Sequence, residues 1–128
     1  MRRKLGYDRS VYNELVLEHF RNPRNAGKLA NSTAEVQATN PVCADILELA
    51  IRVEGGVIAE ARFLCRGCTT SIASASFLTE RLKGCTLAAA RLITAESISE
   101  ALGGLQPATF HGAQLAADAL ALLLAKLV

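Results

Sequence analysis

Ile46-Leu47-Glu48-Leu49-Ala50-Ile51-Arg52-Val53-Glu54-Gly55-Gly56-Val57-Ile58-Ala59-Glu60-Ala61-Arg62-Phe63-Leu64-Cys65 is the stretch that decides the fold. Leu47, Leu49, Ile51 and Val53 alternate with a face that holds Glu48 and Arg52, as in a strand with one side in a core. A second alternation puts Val57, Ala59, Ala61, Phe63 and Cys65 together, against Glu60 and Arg62. Glu54-Gly55-Gly56 supplies the turn between them, so the two runs form an antiparallel hairpin. Upstream, Ala34 to Thr39 gives a weaker third strand and completes a small antiparallel three-stranded sheet.

On either side of this sheet the period becomes helical. Val11, Leu15 and the Val16/His19 pair fall on neighbouring helical positions, predicting a helix over Ser10 to Phe20 with Ser10 as N-cap. Pro23 and Gly27 end it. After Cys68, Ile72, Ala75, Ser76, Thr79 and Leu82 share a face, and Gly84 is the stop. Short helices follow near Leu87 to Ile93 and Glu96 to Leu102, and a long one covers roughly Gly112 to Leu127. Strands first and helices afterwards define an α+β domain with helices packed on one face of the sheet. At 128 residues and 51% hydrophobic content, residues 1–128 are expected to form one domain around one core.

Composition excludes several partners. Fourteen basic and 12 acidic residues leave a formal charge of +2, too little for a single-sign field that would hold a nucleic-acid backbone or an anionic membrane. With no Trp and 5% aromatics, there is little surface for stacking bases. The most apolar segment, Leu115 to Val128, is broken by Asp118 and Lys126 and is too short for a bilayer core of about 30 Å. Arg2, Arg3 and Lys4 are followed by Gly6, Tyr7 and Asp8 where a signal peptide would need an apolar run. Four cysteines without an export signal suggest a reducing compartment, and the cytoplasm is the expected location.

Three places carry chemistry. Cys43 and Asp45, in Asn40-Pro41-Val42-Cys43-Ala44-Asp45, are two apart in an extended loop, so a thiolate and a carboxylate can face one cation. Alone, such a pair is more often structural. Cys68 sits between a strand end and a helix start, where unpaired amides favour a thiolate. Gly67 before it would allow a backbone conformation closed to other residues. His111 stands just before the last helix, and its neutral imidazole suits zinc or iron, although a lone histidine there is more often a cap or a surface residue.

These residues lie in motifs that resemble one family over nearly everything from Val11 onward. His19-Phe20-Arg21-Asn22-Pro23-Arg24-Asn25 is similar to H-[FY]-x-N-P-R-N, Cys43-Ala44-Asp45 to C-G-D, and Gly67-Cys68-Thr69-Thr70-Ser71-Ile72-Ala73-Ser74-Ala75-Ser76 to G-C-x-x-S-x-A-S-x-S. Leu82-Lys83-Gly84 and Leu105 through His111 resemble later landmarks, in the same order. The chain is thereby identified as a member of the IscU/NifU-type scaffold family for iron–sulfur cluster assembly. The resemblance implies a non-enzymatic scaffold or carrier of iron and a [2Fe–2S] cluster, fed with sulfur by a cysteine desulfurase and serving apo-protein acceptors. It further implies Cys43 and Cys68 as ligands, Asp45 as the labilising ligand and His111 beside or within the site.

The chain departs from the pattern at Gly112, at Ala44 and within Leu105 to Thr109. The family's third cysteine, directly after the histidine and implicated in many members in accepting persulfide sulfur, is Gly112. Cys43, Asp45, Cys68 and His111 remain as a four-coordinate set suited to zinc, so a divergent member that binds zinc or regulates the assembly machinery is the alternative. Ala44 replaces glycine, at a cost if φ is positive there. The family's L-P-P-V-K is Leu105-Gln106-Pro107-Ala108-Thr109, and the lost proline and lysine argue against docking of its heat-shock-type chaperone. Cys65-Arg66-Gly67-Cys68 also forms a C-x-x-C, which admits a thiol–disulfide enzyme, but Cys65 shares a face with Phe63, where a cysteine packs as a small hydrophobe. Cys85, after Gly84, is expected to be partly exposed.

Overall fold

A computed structural model describes residues 12–42 and 44–127. Cys43, Ser10 and Val11 lie outside the described residues. The element order is α1 (Glu14–Arg21), β1 (Ala34–Thr39), β2 (Ile46–Glu54), β3 (Val57–Arg66), α2 (Thr69–Leu82), α3 (Leu87–Ala90), α4 (Ala95–Ala101), a 3₁₀ turn (Pro107–Thr109) and α5 (His111–Ala125). The strands form an antiparallel sheet in the order β1-β2-β3. Gly55 and Gly56 both have positive φ, +61° and +79°, as the tight hairpin turn requires.

Register explains which side chains enter the core. Val36, Leu49 and Phe63 are cross-strand neighbours, as are Ala34, Ile51 and Ala61, and Ala38, Leu47 and Cys65. This row packs beneath α2 and α5, with α1 against α2 and α4 against α5. The simple alternation fails at one point. A bulge between the Arg52–Glu60 and Val53–Ile58 pairs leaves Ala59 over, so Ile58 is buried in place of the expected Val57 and Ala59. Cys85 is buried rather than partly exposed, because the chain leaving α2 runs back along β3: Ile58 donates to the Cys85 carbonyl and Gly84 to the Ile58 carbonyl, both at 2.8 Å.

The first helix begins later than the sequence predicts. Asn13 is its N-cap, accepting from the Val16 amide through Oδ1 at 3.0 Å and donating from Nδ2 to the Leu102 carbonyl at 2.7 Å. Val16, Leu17 and His19 face inward, whereas Leu15 is 51% exposed. His19 is buried against α2. Ser76 Oγ accepts from the Arg24 amide and lies 2.8 Å from His19 Nδ1, and the other ring nitrogen, Nε2, lies 3.8 Å from Glu80. Burial first, then Arg24, push the His19 pKa down, against the smaller pull of Glu80 and Glu18. The native state therefore favours the neutral ring. Its contribution to stability is complete above the ordinary histidine pKa and is lost as pH falls through the lowered native one. Urea midpoints of metal-free protein should drop between pH 7 and pH 5, and His19→Gln should flatten that slope; an unchanged slope would remove His19 as its cause.

Candidate metal centre

At one end of the sheet, three separate segments deliver donors to one place. The turn from Asn40 to Asp45 is closed by the Asn40 amide on the Asp45 carbonyl at 2.9 Å and the Ala44 amide on the Asn40 carbonyl at 2.7 Å. Asn40 Oδ1 also accepts from the Val42 amide at 2.9 Å. Closing the turn puts Ala44 at φ +59°, the left-handed region in which a Cβ is costly. Ala44→Gly should raise stability by about 0.5–1 kcal/mol, the relief of that strain less the entropy glycine adds to the unfolded chain. Denaturant titration checks this, and a loss of stability would contradict it.

Asp45 is buried, and its Oδ2 accepts from Ser71 Oγ at 2.7 Å and from the Cys68 amide at 3.3 Å. Gly67 makes this approach possible. Its φ is not in the left-handed region, contrary to the expectation of an unusual backbone; a Cβ there would lie 2.9 Å from Asp45 Cγ and Oδ2 and 3.1 Å from Ser71 Cβ. The glycine is needed for space.

Cys68 is the N-cap of α2, and His111 is the first residue of α5. The two helix starts face each other, with Cys68 Sγ 3.2 Å from His111 Nε2. Thr70 Oγ1 and Ser71 Oγ lie 3.3 and 3.5 Å from the same sulfur. These hydroxyls had no assigned role in the sequence. Two polar residues in the first turn of a helix directly after a cysteine were the available sign. Ligand atoms of Asp45, Cys68 and His111 all lie within 4.8 Å of one another, the span of donors around a single small cation. One thiolate, one imidazole and one carboxylate fit zinc or iron, with a further position left for another donor. Cys43, the fourth residue of the expected set, lies outside the described residues.

Cys65 is half-buried and packs against the core beside Leu47. Burial, then Asp45 and Cys68, push its thiol up to about 12, which keeps it protonated and a poor nucleophile. That weighs against a Cys65–Cys68 redox pair. Thr109, at the position of the family's lysine, is buried and donates to the Gln106 carbonyl at 3.2 Å. Among the described residues, no helix is long and apolar enough to cross a membrane.

The α+β domain thus gathers a thiol and an imidazole at two facing helix starts beside a buried carboxylate, a donor set of the kind that can hold one metal ion. Its sequence matches the NifU-like N-terminal domain family over residues 11–127, and the chain belongs to that family. It is 41% identical over 110 residues to the iron–sulfur cluster assembly scaffold protein IscU 1 of Archaeoglobus fulgidus, covering 86% of this chain and 72% of that protein. It is 40% identical over 114 residues to IscU of Escherichia coli, with the same description, covering 86% of this chain and 88% of that one. Among solved structures, the N-terminal NifU-like protein of Brucella abortus superposes with a TM-score of 0.77 over 92% of this chain and 94% of its own, at 19% identity, a likeness of fold.

Proposed function

We propose that this chain is a non-enzymatic scaffold or carrier, formed by the single domain 1–128, that holds a labile [2Fe–2S] cluster as cargo through Cys43, Asp45, Cys68 and His111. A cysteine desulfurase would supply the sulfur, and apo-proteins of the cytoplasm would receive the cluster. The observation that carries this reading is the meeting of Asp45, Cys68 and His111 from three separate segments within 4.8 Å, in a chain whose relatives are named as scaffolds. Ser71 and the Cys68 amide occupy Asp45 Oδ2, which leaves Oδ1 to ligate. A hard carboxylate oxygen on a soft iron–sulfide unit is the weakest member of the set, which suits a cluster that must leave.

Anaerobic reconstitution with iron and sulfide should give visible charge-transfer absorption in the native chain and none in the Cys43→Ala, Cys68→Ala double variant. A colourless native protein would sink the proposal. Gly112 favours a second reading, in which the same four residues hold a single zinc ion and the chain regulates the assembly machinery. Stoichiometric zinc in protein purified without chelators, which iron and sulfide do not displace, would select it.

A further inference from the structure

Gly112 follows His111 on α5, and its Cα rests on the backbone of the first turn of α2. A Cβ added there would stand 2.6 Å from the Thr70 carbonyl carbon, 2.7 Å from its oxygen and 2.8 Å from the Ser71 amide nitrogen. All three are backbone atoms, so no side-chain rotation relieves the overlap; the two helix starts would have to separate. Thr70 and Ser71 are two and three residues past Cys68, and His111 is the immediate neighbour of Gly112. The contact that forbids a Cβ is therefore the contact that brings Cys68 Sγ to 3.2 Å from His111 Nε2.

We infer that Gly112 is a positioning residue of this metal centre: lacking a side chain, it seats α5 on α2 and fixes the Cys68–His111 spacing. The position has not merely lost a donor, because the helices have closed over the volume a donor would need. Restoring a cysteine would wedge the site open. The inference rests on the proposed site and deepens it.

Cobalt(II) is the probe, since thiolate-to-cobalt absorption reports ligation directly. Gly112→Ala and Gly112→Cys should each lower cobalt affinity at least tenfold relative to the native chain. Leu123→Ala is the control. That side chain is fully buried about 17 Å further along α5 and should lower the melting temperature while leaving cobalt affinity within about twofold. In the native chain, a strong nuclear Overhauser contact between the Gly112 α-hydrogens and the Ser71 amide is expected, whether or not the variants fold. Native-like affinity in Gly112→Ala, added thiolate absorption with tighter binding in Gly112→Cys, a matching loss in Leu123→Ala, or absence of that contact would each overturn the inference. Failure of the native chain to bind cobalt with thiolate absorption would instead overturn the site reading on which it rests.

Discussion

Cys68→Ala should abolish cluster retention and weaken zinc or cobalt binding by more than about a hundredfold. Loss of a group that only orients a ligand already costs 10–100-fold, and Cys68 is the ligand itself. The sulfur is also the centre of the local network: His111 Nε2, Thr70 Oγ1 and Ser71 Oγ all lie within 3.5 Å of it. Folding should suffer little, since the Cys68 side chain accepts no capping hydrogen bond from the backbone amides of α2. Metal titration followed by absorption separates the two effects. A variant that melts near the native temperature and no longer binds metal is the expected outcome; retained affinity would remove Cys68 from the site.

Leu49→Ala should cost about 2–5 kcal/mol. Leu49 lies near the middle of the central strand, with Val36 on one side and Phe63 on the other, and it is fully buried beneath the helices. Strands flank it on both sides and helices cover its face, so the lining cannot collapse into the space left by the missing carbons, which places the effect toward the upper end. Against a typical domain stability of about 5–15 kcal/mol, that is a large fraction. Urea denaturation gives the value. A change below about 1 kcal/mol would mean that the sheet face is packed less tightly than its burial implies.

Much of the fold was legible because two periods are written plainly in the chain. The alternation around Gly55-Gly56 and the helical spacing after Cys68 each survive as whole elements, β2, β3 and α2. The misses have local causes. The bulge at Ala59 shifts the inward row by one residue, and alternation alone carries no sign of such an insertion. Asn13 rather than Ser10 caps α1, because its amide also reaches Leu102, a tertiary contact 89 residues away. Cys85 looked like the exposed end of a helix, but the returning chain pairs it with the β3 edge.

The candidate site was legible in its residues and not in its geometry. Asp45, Cys68 and His111 could be named from motifs, yet only the packing of α5 on α2 brings the last two to 3.2 Å. The sequence suggests an unusual backbone at Gly67, whereas the glycine provides room for the Asp45 carboxylate. At Gly112 the letters convey a missing thiolate, whereas the structure adds that two helix starts occupy its space.

In the proposed function, Cys43, Asp45, Cys68 and His111 together hold the cargo. X-ray absorption at the iron edge of the anaerobically reconstituted chain tests it most directly. The expected spectrum contains sulfur scattering at about the thiolate and sulfide distance of 2.3 Å, nitrogen or oxygen ligation alongside it, and an iron–iron contribution, with the nitrogen or oxygen component reduced in Asp45→Ala and His111→Ala. Iron surrounded only by oxygen and nitrogen, or a spectrum unchanged in both variants, would contradict the account.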